Sequence, residues 1–430
     1  MMRHAMMRHA VMRSVSGAAS AASWLGALVL LVAGCGSKSG LTIPEPPHDD
    51  AAIDAPRPDA SDFVPPDVCI ELPPSEPPQE ITVSFLTRIS EADVFFLVDV
   101  TGSMMEEIEQ IRSRLSDTIA PGIAASIPDV QFSLAEYAEF PVDGYGDPSD
   151  TPYHLITTST PDLPTLQRGL DSLVLLSGGD APESAIEALY LTATGENLGV
   201  LVPSRRCVVD TVGYPCFRRT GSRIFVWITD APSHNGPFGE YPYGPEVAPR
   251  PHGYDETITA LRRIGAKVLG LYSGFGPEDR THVEEVARRT GAVTASGEPL
   301  VFDIGSDGAG LGRGVVEAVR TLVDEVPIDI TIRNDDEPGD ELDATMFVRG
   351  VETIAAEPPI GAIQGADRFD DVRPGTRVSF RVLFANERIA RGAEPIRYRL
   401  RVTLVGDGVT ELATTVVDVV IPALDGQGCD

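Results

Sequence analysis

The sequence predicts an α/β protein, a doubly wound and mostly parallel sheet, followed by a C-terminal all-β module resembling a sandwich. Three observations carry this. Between residues 92 and 325, short apolar runs alternate with segments whose apolar residues recur every three or four positions. That is the rhythm of buried parallel strands joined by amphipathic helices. After Pro327 the pattern changes to period-two alternation, as in half-buried strands. From Gly36 to about Glu80 the chain is dense in Pro, Asp and Ser and offers few large apolar residues to a core.

The elements follow in order. Residues 1–34 carry Arg3, Arg8 and Arg13 with no acid, then an apolar run over 17–31. This is the layout of an export signal, too short for a comfortable membrane span. The doubled Met-Met-Arg-His-Ala at its front leaves Met6 and Met12 as alternative starts. The run ends in Leu31-Val32-Ala33-Gly34-Cys35, which resembles the lipobox of bacterial lipoproteins. That resemblance implies that Cys35 becomes a lipidated first residue. The chain would then sit in the cell envelope, touching the membrane only through its lipid. Gly36, which is not an acid, favours the outer membrane or cell surface.

Residues 35–80, with stretches such as Pro44-Glu45-Pro46-Pro47, are expected to form an extended, self-repelling tether. The α/β domain is expected over 81–326. Its strands are predicted at 92–98, 130–140, 153–158, 223–228 and 267–272. Its helices are predicted at 105–119, 161–175, 183–194, 255–265, 277–290 and 311–325. The β module covers 327–430, with strands at 328–332, 377–382, 398–403 and 414–419; the strand at 81–86 suits either part.

Lys and Arg number 34 against 64 Asp and Glu, a formal net charge of −30. Such a chain repels nucleic acid and attracts cations. With Cys35 set aside, four cysteines remain, an even number that suits an exported protein with two disulfides. Cys207 and Cys216 flank a short loop and pair readily, which leaves Cys69 with Cys429.

The chemistry concentrates in Phe95-Phe96-Leu97-Val98-Asp99-Val100-Thr101-Gly102-Ser103. An apolar strand delivers a carboxylate and then two hydroxyls at alternate positions, at the strand end where doubly wound sheets bind ligands. Such hard oxygens suit Mg²⁺, Mn²⁺ or Ca²⁺ rather than Zn²⁺. Asp-x-Thr-x-Ser after an apolar strand resembles the metal-ion-dependent adhesion site of von Willebrand factor A domains, over roughly residues 92–325. Strand 225–228 runs into Thr229-Asp230, where that family places its last carboxylate. Between them lies Asp180-Ala181-Pro182-Glu183, which is similar to the I-like domain of integrin β subunits.

The resemblance implies a central Mg²⁺ or Mn²⁺ held by Asp99, Thr101, Ser103, Glu183 and Asp230. It also implies flanking sites for Ca²⁺, one facing Asp180 and Glu139 and another served by Glu106 and Glu107. Gly178 stands where the integrin variant has Asn. The ligand would be a protein partner offering an Asp or Glu, and the last helix, 311–325, would shift on binding. Asp143, Asp147 and Asp150 are expected in an exposed loop, and His234 at the surface. Phe238, Tyr241 and Tyr243, in an insertion beside Asp230, either set partner specificity or pack over the domain. The sequence has no His-Glu-x-x-His, Gly-x-Ser-x-Gly or P-loop, so a non-enzymatic binding protein is expected. The rival reading is an envelope scaffold that keeps the fold without metal-dependent binding.

Overall fold

The computed structural model describes residues 68–208, 211–274, 276–337 and 342–429. Cys35 and most of the expected tether lie outside them.

One six-stranded sheet runs, edge to edge, Val301–Asp303, Ala266–Tyr272, Ser222–Thr229, Glu91–Asp99, Asp129–Tyr137 and His154–Thr160. The first five strands are parallel and the last is antiparallel. Glu91–Asp99 lies at the centre, buried from Ala92 to Asp99, which explains its nearly uninterrupted apolar run. From it the chain winds outward to one edge and returns on the other side at Ser222–Thr229. The strand order therefore reverses beside Asp99, the switch point at which such sheets bind ligands.

The helix beginning at Met105 packs against Leu163–Asp171 and the last helix, Leu311–Glu325. Ala185–Thr194 packs against Tyr254–Arg263. The first of these helical segments runs past the expected end at 119. A π-helical turn, Leu115–Ile119, leads into Ala120–Ser126, with Pro121 in the first turn, where a missing N–H is harmless. The helix expected over 161–175 is shorter, Leu163–Asp171, because Asp162 caps it by accepting from the Thr165 N–H at 3.1 Å. Val301–Asp303 was not foreseen, since three residues carry no readable period.

The β module is a sandwich. One sheet orders Val68–Glu71, Thr410–Ile421, Ile396–Gly406, Ile328–Asp336, Arg368–Val372 and Ile363–Gln364; the other orders Val348–Glu357, Arg377–Phe384 and Gln79–Leu86. Phe85, Phe347, Phe369 and Phe380 fill the core between them. Gln79–Leu86 thus belongs to this module, antiparallel to Arg377–Phe384. Val68–Glu71, which composition assigns to the tether, is a strand parallel to Thr410–Ile421. Its apolar Val68 and Ile70 and the Cys69–Cys429 disulfide hold it there, although its flanks are rich in proline. Cys207 and Cys216 are also disulfide-bonded. The two parts meet through Lys267 and Asp407, 2.6 Å apart, and through Arg223 and Thr410. Among the described residues no helix is long and apolar enough to cross a membrane.

Candidate functional site

Asp99 ends the central strand with no exposed surface, so both its oxygens need donors. Oδ1 accepts from the Thr101 N–H at 3.0 Å and the Thr101 hydroxyl at 2.7 Å. Oδ2 accepts from the Thr229 hydroxyl at 2.8 Å and, at 3.4 Å, from Tyr137. The indole of Trp227 donates to the same Tyr137 hydroxyl at 2.8 Å. The Thr101 and Ser103 hydroxyls lie 3.5 Å apart. The first and last loops are thereby joined around one carboxylate.

Middle and last loops are stitched by backbone. The Glu183 N–H donates to the Pro232 carbonyl at 2.9 Å, and the His234 N–H donates to the Glu183 carbonyl at 2.8 Å. Ser233 donates its hydroxyl to the Glu183 carbonyl at 3.0 Å. The lead-in to the middle loop is held by Asp150, which is buried rather than exposed as expected. Its carboxylate accepts from the N–H groups of Asp147, Ser177 and Gly178, at 2.7, 3.1 and 3.1 Å. A long loop rich in Gly folds its acid inward because three otherwise orphaned amides lie there. Gly178 has φ +64°, and a Cβ there would stand 2.8 Å from Glu183 Oε1 and 3.3 Å from Thr101 Cγ2. Glycine therefore lets Glu183 lie against Thr101.

The electrostatics are those of crowded acids. Burial, with Asp230 next in effect, pushes the Asp99 carboxyl up to about 6. Burial, followed by the charges of Asp99, Glu139, Asp180 and Asp230, pushes Glu183 up to about 11. Asp230 is raised by burial as well. Glu183 Oε2 and Asp230 Oδ1 are buried and accept no hydrogen bond. Among the described residues no Lys or Arg forms an ion pair with Asp99, Glu183 or Asp230. Burying charge without a partner is costly, so the donor set fits a cation.

Glu139 is fully buried beside this centre. Its Oε1 accepts from the Phe140 N–H and the Tyr243 hydroxyl, each at 2.5 Å, while Oε2 has no partner. Burial pushes its carboxyl up to about 8. Asp180, about a third exposed, lies 3.1 Å from His234 Nε2. His234 is buried, contrary to the surface position expected, because the insertion folds back and stacks Tyr243 on its ring at 4.3 Å. Tyr243 thus packs over the site, whereas Phe238 and Tyr241 stay exposed. The acidic pair divides: Glu107 is buried with its Oε2 unpartnered, and Glu106 faces solvent.

Residues 93–197 match the family model of the von Willebrand factor A domain. That stretch contains Asp99, Thr101, Ser103, Glu139, Asp180 and Glu183; the fold adds Asp230 and His234 from beyond it. A von Willebrand factor type A structure from Catenulispora acidiphila is 12% identical, over 84% of this chain and 72% of that one, with TM-score 0.35. Proximal thread matrix protein 1 from the mussel byssus is 13% identical, over 55% of this chain and 49% of that one, with TM-score 0.33. No curated protein matches the sequence.

Sequence reasoning missed the parts that Tyr137 and Thr229 play at this site, placed Asp150 and His234 at the surface, and left Tyr243 between setting specificity and packing over the domain. Thr229 carried a signal, since it precedes Asp230 at a strand end and a buried Asp99 requires hydroxyl donors. The others owe their roles to the path of loops and of a neighbouring strand.

Proposed function

We propose that the A domain binds a divalent ion, Mg²⁺ or Mn²⁺, at Asp99, Thr101, Ser103, Glu183 and Asp230, and through it an Asp or Glu of a protein partner. The observation that carries this reading is the pair of buried, unpartnered oxygens, Glu183 Oε2 and Asp230 Oδ1, on carboxylates that no Lys or Arg among the described residues pairs with. A bound ion would offset the three carboxylates and offer a coordination position to an incoming carboxylate oxygen. The chain's part is to hold its ligands still. Thr229 and Tyr137 fix Asp99 from behind, Asp150 fixes the middle loop, and the stitched backbone sets Glu183 against Asp230.

Glu183, rather than a Thr, as a ligand makes this the integrin I-like form of the adhesion site. Partner release and capture would accompany a shift of Leu311–Glu325. The same proposal places the domain in the cell envelope, anchored through Cys35, as a binding protein without turnover. Two disulfides suit the oxidising compartment this requires.

Calorimetric titration of the chelator-treated chain with Mg²⁺ and Mn²⁺ tests the reading. Saturable binding is expected, weakened more than about 10-fold by Asp99→Ala, since even outer-shell partners typically carry that much. Equal affinity in the variant would overturn it and favour the scaffold reading.

A further inference from the structure

We propose that Glu139 and Asp180, the pair expected to face a flanking Ca²⁺, form with His234 a second cation site that instead prefers a transition-metal ion of the Zn²⁺ class over Mg²⁺ or Ca²⁺. It uses none of the central ligands and stands or falls apart from them.

One ligand atom from each of the three residues lies within 4.8 Å of the others. The tautomer of His234 follows from its partners. Nδ1 lies 2.8 Å from the Tyr241 carbonyl oxygen, which can only accept, so Nδ1 carries the hydrogen. In the neutral ring Nε2 then presents a lone pair, and it faces only acceptors. Asp180 Oδ2 and Oδ1 lie at 3.1 and 3.3 Å, and Glu139 Oε2 at 3.8 Å. Glu139 Oε2 is buried with no hydrogen bond and is aimed at this gap. Three electron-pair donors converge on one point that only a proton or a metal ion can reconcile.

The support around these atoms is that of a metal site. A metal-ligating histidine typically donates its other ring N–H to a carbonyl or carboxylate, and ligating carboxylates are themselves hydrogen-bonded. Both conditions hold for His234 and Glu139. The Tyr241 carbonyl takes Nδ1–H, and the Phe140 N–H and Tyr243 hydroxyl hold Glu139 Oε1 so that Oε2 stays bare. Tyr243 stacked on the imidazole and Tyr145 at its edge, 5.2 Å away, lock the ring plane. Asp180, about a third exposed, supplies an entry path and leaves room for water. The imidazole sets the preference, because nitrogen ligands suit Zn²⁺ and its neighbours while Ca²⁺ and Mg²⁺ take oxygen.

The test uses the full chain, freed of metal by chelator and then saturated with Mg²⁺, titrated with Co²⁺ and followed by visible absorption. One equivalent of Co²⁺ with ligand-field bands is expected, displaced by Zn²⁺ and not by Ca²⁺. Asp180→Asn and His234→Gln should each weaken Co²⁺ binding more than about 10-fold, and Tyr243→Phe by about 10-fold through the oriented Glu139. Asp99→Ala should leave it unchanged. Asp180→Asn alters a partly exposed side chain, so its loss of Co²⁺ at an unaltered unfolding midpoint separates a ligand from a structural role. Two results would overturn the proposal. If Mg²⁺-saturated wild type binds no Co²⁺, or if Asp180→Asn and His234→Gln bind it as well as wild type, the cluster shares only a proton. Failed Mg²⁺ binding with retained Co²⁺ would overturn the central site and leave this one standing.

Discussion

Glu183 is the acid whose ionisation the fold resists most among those at the site, and its pH behaviour has a definite sign. Burial and neighbouring acids raise its carboxyl from 4.5 to about 11 in the folded chain. Asp99 rises from 3.8 to about 6 and Glu139 from 4.5 to about 8. Above the unfolded values the folded state holds more protons, so the stability these groups confer is complete below about pH 4 and is lost as pH rises through the folded values. The metal-free protein should therefore melt at progressively lower temperature from about pH 5 to about pH 8, and Mg²⁺ should stabilise it more as pH rises. Glu183→Gln should flatten the metal-free profile, raise its melting temperature near pH 8 and abolish the gain from Mg²⁺. Scanning calorimetry across that range, with and without chelator, checks all three. Asp150→Ala should weaken Mg²⁺ binding by about 10-fold while touching no expected ligand, because it frees the Ser177 and Gly178 amides. The strand-end placement of Asp99, Thr101, Ser103 and Asp230 was legible because each lies within five residues of a buried apolar strand. Asp150 and His234 were not, since burial there depends on how two long loops fold back.

At the scale of elements, the lead-in to Leu311–Glu325 bears on the site through Gly308. Its φ is +61°, and a Cβ there would stand 2.9 Å from Glu107 Cα. Gly308→Ala meets both a left-handed backbone and a backbone atom, so a loss of about 1–3 kcal/mol is expected in denaturant unfolding. Should the last helix shift on partner binding, the same change should also alter partner affinity. The long parallel strands were readable because both their faces are buried, as in Ser222–Thr229, where every residue is buried. Helix ends were less so. The helix expected from 183 begins at Ala185, because Glu183 is bridged to Ser233 and serves the loop instead.

For the whole molecule, the β sandwich draws strands from either side of the α/β domain and closes the circuit with a disulfide spanning 360 positions. Cross-linking so long a loop removes much entropy from the unfolded chain, up to about 5 kcal/mol. Replacing Cys69 and Cys429 together by Ser should lower stability by up to that amount, as read by urea unfolding, and leave Mg²⁺ affinity unchanged. The reversal from a 3.6-residue to a two-residue period near Pro327 announced this module correctly. The contribution of Val68–Glu71 was hidden by the prolines around it, since its place depends on a partner strand at the far end of the sequence.

Trp227 reports directly on the metal site proposed at Asp99. Its indole is hydrogen-bonded to Tyr137, which reaches Asp99, and Trp24 is the only other tryptophan. The decisive measurement is Tb³⁺ luminescence sensitised by Trp227 in a Trp24→Phe chain, with Asp99→Ala beside it and Mg²⁺ as competitor. Saturable emission is expected, displaced by Mg²⁺ and lost in Asp99→Ala. Emission unchanged by the substitution, or none in either protein, would contradict it.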